Sequence, residues 1–141
     1  MKIAVIDGQG GGIGRVIIEK IRLEFGQNIS IIALGTNSLA TAAMLKAGAN
    51  IGATGENAII VNVQTVDVIM GSIAIMVSDA LIGELSPAMA NAITKSDTAK
   101  VLIPLNKCNI HVAGTVDEPL PHYIDDSIKI IKKIIGGKIN V

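Results

Sequence analysis

The amino-acid sequence predicts an α/β fold, a three-layer Rossmann-like or flavodoxin-like open sheet of about five strands, most of them parallel. Short β-branched segments alternate with amphipathic segments of helix length along the 141 residues. This order is typical of parallel sheets with helices on both faces. The first strand segment, Lys2–Ile6, shows no alternation of polar and apolar residues, which indicates burial on both sides. We expect a single domain over residues 1–141.

The N-terminal half predicts two strands and two helices. The first strand is apolar and β-branched, and the helix after it carries isoleucine, valine and phenylalanine at core spacing until Gly26 ends it. Thr36 or Asn37 can cap the second helix, and Gly48 closes it. The predicted elements are strands at Lys2–Ile6 and Ile29–Leu34, and helices at Ile13–Phe25 and Ser38–Ala47.

The C-terminal half begins with a second glycine-rich loop, Gly48–Gly55. Residues Gly52–Asn57 are a further candidate for binding an anion, although the carboxylate of Glu56 can itself satisfy the helix N-terminus there. The segment from Gly71 to Leu85 is compatible with a buried helix at Ile73–Ile82. Ser86 and Pro87 form a helix start, an N-cap residue followed by proline. The remaining predicted elements are helices at Glu56–Val63, Ser86–Lys95 and Pro121–Gly136, and strands at Val66–Met70 and Val101–Leu105.

A fifth strand is predicted at Ile110–Ala113, directly after the fourth. About five residues separate the two segments, whereas a parallel crossover needs about a dozen. We therefore expect this last strand to run antiparallel to the fourth and to lie at an edge of the sheet. The favoured strand order is 2-1-3-4-5, with 3-2-1-4-5 as the alternative.

Charge and composition exclude several classes of protein. Lysine plus arginine equals aspartate plus glutamate at 12 each, and only Phe25 and Tyr123 are aromatic. The chain thus lacks the basic surface and the stacking platforms of nucleic-acid binders. Polar residues interrupt the most apolar stretch, Ala58–Val77, so we expect no membrane span. The lone Cys108 and the lack of a recognisable secretion leader favour the cytoplasm, and the 50% hydrophobic content favours a homo-oligomer, most simply a dimer.

The segment DGQGGGIG joins the first strand to the first helix and is the principal candidate for a ligand site. Gly8 and Gly10 are expected at positive φ, where the chain leaves the strand. Gly11 and Gly12 lack a Cβ, so a pyrophosphate can approach the backbone, and Gly14 allows the helix to pack close to the sheet. Backbone amides and the helix N-terminus then face an anion. The candidate binding residues of this turn are Asp7, Gly8, Gly10, Gly11, Gly12, Ile13 and Gly14.

The turn resembles two known phosphate-binding patterns. The spacing of Gly8, Gly12, Ile13 and Gly14 is similar to the glycine turn of short-chain dehydrogenases, which implies NAD(P). Tyr123 has no lysine four residues further on, so the catalytic pair of that family is missing. The turn is also similar to a deviant Walker loop, but it lacks the hydroxyl residue that binds magnesium there, so ATP hydrolysis is not expected.

A dinucleotide site of this class carries an acid after the second strand, where it binds the ribose hydroxyls. The sequence at that place, 34–37, has neither an acid nor the arginine that would accept a 2′-phosphate. Thr36 and Asn37 can donate hydrogen bonds to a ribose or a phosphate, or can simply cap the next helix. NADP is then slightly less disfavoured than NAD, and the expected ligand is NAD(P) or another phosphate-bearing nucleotide.

Three residues are candidates for catalysis. Asp7 ends the first strand at the edge where open sheets bind ligands, and it can act there as a base or simply stabilise the turn. Lys107 and Cys108 follow the fourth strand at the same edge, where a lysine can meet a phosphate and a cysteine can act as a nucleophile. Neither His111 nor His122 has further metal ligands nearby in the sequence, so no metal site is predicted. The alternatives to a nucleotide-binding module are a small enzyme acting on a phosphorylated metabolite and a homo-oligomeric interaction protein without a ligand.

Five stretches together resemble a family of short bacterial proteins from anaerobic Firmicutes that is described only as a domain of unknown function. They are MKIAVIDGQGGGIG, ALGTN, KAGANIGATGENAI, LIPLNKCNI and EPLPH. The resemblance implies a soluble cytoplasmic protein with a Rossmann-like fold and a glycine turn of the NAD(P)-binding type. It implies no activity.

Overall fold

The computed structural model describes residues 1–105 and 108–137. Along these residues five strands alternate with five α-helices, and a short 3-10 helix lies at Ile73–Met76. The strands are β1 (Lys2–Asp7), β2 (Ser30–Gly35), β3 (Ile51–Thr54), β4 (Val68–Ser72) and β5 (Ala99–Ile103). The helices are α1 (Gly12–Phe25), α2 (Ser38–Ala47), α3 (Glu56–Asn62), α4 (Pro87–Lys95) and α5 (Leu120–Ile135).

The strands form one sheet in the order β3-β2-β1-β4-β5, and all of them are parallel. Side chains alternate between the two faces of β1, so Ile3 and Val5 enter one core while Ala4 and Ile6 enter the other. The first core lies under α1, α2 and α5, and the second lies under α3, the 3-10 helix and α4. Burial on both faces explains why residues 3–6 of the first strand are all apolar.

The prediction of an antiparallel last strand was wrong. β5 is the last strand within the described residues, and it pairs parallel with β4, with Val68 opposite Ala99 and Ser72 opposite Ile103. Residues 110–113 lie in an irregular segment, and three of the four are exposed. Their β-branched side chains suit a strand, but β propensity reflects packing against neighbouring strands, and this segment pairs with none.

The fifth strand of the sheet is instead β3, which the sequence predicted as part of a loop. β3 pairs with β2 at the other edge. Three of its four residues are exposed, so the apolar pattern of a buried strand is missing. Its glycine, Gly52, allows close packing, since a Cβ there would lie 2.8 Å from Thr41 Cγ2. Of the five predicted strands, four are observed, and they keep the neighbours of the favoured order. Because β3 is an additional strand, the observed order is numbered 3-2-1-4-5.

The segment after β4 does not form the expected buried helix. It forms only the 3-10 helix and then a series of turns up to Ser86. The predicted helix start at Ser86 is confirmed, because Ser86 Oγ accepts a hydrogen bond from the Met89 N–H at 3.2 Å and Pro87 is the first helical residue. Across the described ranges, no helix combines the length and the apolarity that crossing a bilayer would require.

Candidate functional site

The carboxyl ends of β1 and β2 meet the loop after β4 at one edge of the sheet. β1 pairs with β2 on one side and with β4 on the other, so the chain connections diverge at this point. Open α/β sheets bind their ligands at such a point. Hydrogen bonds join three segments there: the turn 7–14, residues 35–37, and the loop 77–86. The turn and residues Thr36 and Asn37 come together as expected, and the loop adds Glu84, which the sequence did not suggest.

Asp7 ties the end of β1 to the first turn of α1. It is only 8% exposed. Its Oδ1 accepts a hydrogen bond from the Gly8 N–H at 2.8 Å, and its Oδ2 accepts one from the Gly14 N–H at 2.7 Å. The residue at the N-cap position is Gly11, which has no side chain to bond the free amides of the helix. The Asp7 carboxylate instead accepts the Gly14 N–H in the first turn of the helix. This geometry supports the role of Asp7 in stabilising the turn 7–14.

Gly8 and Gly14 are required by packing. A Cβ on Gly8 would lie 2.5 Å from Thr36 Oγ1, so a side chain there would push residues 35–37 away from the turn 7–14. A Cβ on Gly14 would lie 2.5 Å from Met44 Sδ and 3.1 Å from the Cβ of Asp7. The close packing of helix and sheet that was expected at Gly14 is therefore present.

Gly11 is required by its backbone conformation. Its φ is 74°, and a Cβ there would lie 2.9 Å from the backbone of Ala40. The expectation of positive φ at Gly8 and Gly10 was wrong, since the left-handed residues of the turn are Gln9, at φ 50°, and Gly11. Positive φ thus occurs one residue later than expected in both cases, at Gln9 and at Gly11. A hydrogen bond from the Gly11 N–H to the Gly8 carbonyl at 2.9 Å closes this turn.

Gly10 and Gly12 are required neither by packing nor by backbone conformation. A Cβ built on either meets no atom within 4 Å, and neither has a positive φ. Within residues 1–105 and 108–137, no acceptor bonds the backbone N–H of Gly10, Gly12 or Ile13. These three residues belong to the lining of an open cleft of about 210 Å³, which residues 7–13 and Leu81 form. The other amides at the start of the turn and of α1 are bonded within the protein: Gly8, Gln9, Gly11 and Gly14.

Glu84 joins the turn 7–14 to residues 35–37 through hydrogen bonds. Its Oε1 accepts hydrogen bonds from the Gln9 N–H at 2.8 Å, from Thr36 Oγ1 at 2.7 Å and from Asn37 Nδ2 at 2.7 Å. The bond from the Gln9 amide, followed by that from Thr36, lowers the pKa of the Glu84 carboxyl below its usual value, against a smaller opposing effect of burial. Glu84 is therefore ionised at neutral pH. A local sequence pattern could not show it, because it lies 75 residues from Gln9.

Thr36 and Asn37 are both committed to the protein. Asn37 Oδ1 accepts the Ala40 N–H at 2.9 Å and caps α2, which is the capping role that the sequence allowed. The Asn37 amide group also donates to the Gln9 carbonyl at 3.0 Å. Thr36 donates its hydroxyl to Glu84, and its N–H bonds the Asp7 carbonyl at 3.0 Å. Whether either residue also binds a ligand stays a prediction.

The loop 77–86 is compact and strained. Three of its non-glycine residues, Asp79, Leu81 and Ile82, have left-handed φ between 56° and 65°. This conformation is costly for a β-branched residue such as Ile82. Two hydrogen bonds between its ends fix the loop: the Asp79 N–H bonds the Leu85 carbonyl at 2.8 Å, and the Leu85 N–H bonds the Ala80 carbonyl at 3.1 Å. The loop thus holds Leu81 over the cleft while leaving Ile82 94% exposed.

Among the described residues, no other candidate for catalysis lines this cleft. Lys107 lies outside the described residues, and Cys108 is exposed in a turn after β5. In the described parts of the chain, no three His, Cys, Asp or Glu residues are grouped so that they could hold a metal ion. The second glycine-rich loop is partly β3, and Glu56 at the start of α3 accepts a hydrogen bond from Ser86 Oγ at 2.6 Å.

Comparison with known proteins gives a family and a similar solved structure. The model of the family "Domain of unknown function (DUF3842)" matches residues 2–136, which confirms the expectation of an uncharacterised family. The comparison with curated proteins gave no match. Among solved structures, the dodecameric FMN-dependent Ubix-like decarboxylase from Escherichia coli O157:H7 is similar, with 14% identity over 94% of each chain and a TM-score of 0.49. At this similarity we draw nothing from it about ligand or activity.

Proposed function

The chain belongs to the DUF3842 family, and because that description assigns no activity we propose a function from the site: the chain binds the phosphate groups of a nucleotide at the turn Asp7–Gly14. In this proposal one domain over residues 1–141 carries the site, and the ligand is NAD(P) or another phosphate-bearing nucleotide. The cytoplasmic location and the homo-oligomeric state, most simply a dimer, stay predictions from the sequence.

The observation that carries the proposal is the pair Gly10 and Gly12. An alanine would fit at both positions without a contact or a positive φ. Glycine instead raises the entropy cost of folding, by about 0.5–1 kcal/mol relative to alanine in a regular element. The fold thus gains nothing from these two glycines. Both border the cleft, where a missing Cβ lets an anion approach the backbone closely.

The groups at the cleft suit a phosphate. Gly10, Gly12 and Ile13 line it, and their N–H groups have no acceptor among the described residues. α1 is 14 residues long and contributes the positive end of its dipole, roughly half an elementary charge. At about 210 Å³ the cleft is smaller than the roughly 300–1,000 Å³ of a pocket that encloses a whole ligand. We therefore place one or two phosphate groups in the cleft and the nucleoside outside it.

Binding measurements with Gly12→Ala test the proposal. The wild-type chain is titrated by calorimetry with NADH, NADPH, FAD, ATP and coenzyme A, and thermal unfolding is followed in parallel. A ligand at 100 times its Kd should stabilise the wild-type chain by about 2.7 kcal/mol. Gly12→Ala should weaken binding at least about tenfold while keeping or slightly raising Tm, because its methyl meets only open space in the protein.

Gly136→Ala is the matched control, since a Cβ at Gly136 makes only ordinary contacts, the nearest at 3.4 Å, after α5 and away from the turn. It should leave binding unchanged. The proposal is wrong if none of the five compounds binds, or if Gly12→Ala binds as tightly as the wild-type chain. The enzyme alternative gains no support from Asp7, because both of its carboxylate oxygens accept amides of the turn.

A further inference from the structure

An acid stands beside the turn after β2, although none occurs in the sequence there. Nucleotide sites in sheets of this class use such an acid to accept the hydroxyls of a ribose. Residues 34–37 provide none. The carboxylate of Glu84 is hydrogen-bonded to both Thr36 and Asn37, so the loop 77–86 places an acid at this position from elsewhere in the chain.

The two oxygens of Glu84 differ. Oε1 accepts all three donors, from Gln9, Thr36 and Asn37. Oε2 has no hydrogen-bond partner among residues 1–105 and 108–137. The three donors fix the carboxylate in place, and Oε2 remains an acceptor for a hydroxyl group. An ionised carboxylate accepts hydrogen bonds but cannot donate one, so a second anion would find no partner in it.

The carboxylate also lies next to the proposed phosphate site at Gly10, Gly12 and Ile13. The reason is that Glu84 accepts a hydrogen bond from the N–H of Gln9, the residue directly before Gly10. No lysine or arginine hydrogen-bonds to this cluster in the described chain, and Arg15, in the first turn of α1, is paired with Glu19 at 3.0 Å. A further phosphate placed beside Glu84 would therefore meet a fixed negative charge of like sign, and none of the described lysines or arginines hydrogen-bonds there to balance it.

We infer that Glu84 determines the specificity of the site: it accepts the hydroxyls of the nucleotide's ribose and excludes nucleotides that carry a phosphate at the 2′ position. The inference rests on the proposed function and names the class of nucleotide within it. It reverses the slight preference for NADP that the missing acid after the second strand had suggested. A ligand anion that simply displaces Glu84 is the competing explanation. It is less favoured because the glycine at position 8 accommodates the glutamate: a Cβ there would lie 3.0 Å from Glu84 Oε1.

The test uses ADP, the part common to NADH, FAD and ATP, and its 2′-phosphorylated form. Both are titrated by calorimetry into the wild-type chain and into Glu84→Gln. The wild-type chain should bind ADP at least about tenfold more tightly than 2′-phospho-ADP, as expected for like charges at close range. Glutamine keeps one oxygen for the three donors but replaces Oε2 by an amide group that donates. We expect Glu84→Gln to weaken ADP, to strengthen 2′-phospho-ADP and to bring the two affinities within about threefold.

Glu24→Gln removes a glutamate charge at the far end of α1, where Glu24 pairs with Lys20 and Lys132, and it should keep the wild-type preference. Equal affinities in the wild-type chain would overturn the inference and leave the proposed function standing. Equal tightening of both compounds by Glu84→Gln would show that Glu84 blocks an anion site, which also overturns it. If the folded wild-type chain binds neither compound, the inference fails, and the proposed function fails with it when NADH, NADPH, FAD, ATP and coenzyme A do not bind either.

Discussion

Asp7→Asn should destabilise the fold, because Asp7 closes the turn with two hydrogen bonds to backbone amides. The carboxylate accepts the Gly8 N–H at 2.8 Å and the Gly14 N–H at 2.7 Å. Asparagine keeps the size of the side chain but retains one acceptor oxygen. Its amide group must then point at one of the two N–H groups, donor against donor.

The expected loss follows from these contacts. One charge-assisted hydrogen bond disappears, at about 1.5–3 kcal/mol, and one amide near the buried carboxylate is left unsatisfied, at about 1–3 kcal/mol. These two costs describe the same broken contact in part, so we expect a total of about 3 kcal/mol rather than their sum. For a chain of this size that corresponds to a fall in Tm of roughly 10 °C.

The matched control is Asp67→Asn. Asp67 also bonds a backbone amide, the Lys2 N–H at 2.7 Å, but it is exposed and away from the turn. We expect it to cost less than about 1 kcal/mol. Urea unfolding followed by circular dichroism gives the free energy of unfolding of both variants. If Asp7→Asn is no more destabilising than Asp67→Asn, Asp7 does not stabilise the turn in the way its geometry indicates.

Two further predictions concern the turn 7–14 and Glu84. Gly11→Ala should cost about 2–4 kcal/mol in unfolding free energy, because alanine is strained at φ 74° and its Cβ would approach the Ala40 backbone to 2.9 Å. The neighbouring Gly12→Ala should be neutral or stabilising, so equal urea midpoints for the two variants would contradict this account. The pKa of Glu84 is lowered in the folded chain, chiefly by the Gln9 amide. Its contribution to stability should therefore be complete above the ordinary pKa of about 4.3 and should be lost as the pH falls further, through the folded pKa. The difference in Tm between the wild-type chain and Glu84→Gln, measured from pH 7 to pH 3, should shrink over that acidic range, and a constant difference would refute the assignment.

Features set by neighbouring residues could be predicted from the sequence. The first strand is apolar because both of its faces are buried, and its period and composition show this directly. The start of α4 depends on Ser86 and Pro87, which are adjacent, and the glycine turn is a continuous segment. These features need no knowledge of distant parts of the chain.

Features set by distant contacts were missed. β3 is a strand only because its backbone pairs with β2, and its exposed residues carry no sign of that pairing. The segment 110–113 has the composition of a strand but pairs with none within the described residues. Composition alone does not distinguish these two segments, because whether a segment forms a strand depends on whether another strand lies beside it.

The candidate site was predicted in part. The turn and residues Thr36 and Asn37 lie together at the carboxyl edge, because parallel strands that are neighbours end side by side. Glu84 was missed because it reaches this edge through a strained loop from the far side of β1. One signal was available: two polar side chains follow β2 without an acid to accept their hydrogen bonds, which implies an acceptor from another segment.

The glycines of the turn differ in whether the fold constrains them, and this difference predicts which of them can be substituted within the family. If the proposed function holds, a family member that no longer binds a nucleotide would be free to replace Gly10 and Gly12 by alanine or serine, since a Cβ at either position meets no atom within 4 Å. In the same member, a side chain at Gly8, Gly11 or Gly14 would still come within 3.0 Å of neighbouring atoms, so these three glycines should be kept. Substitution at the first pair, with the other three kept, would therefore mark the descendants in which binding has been abandoned.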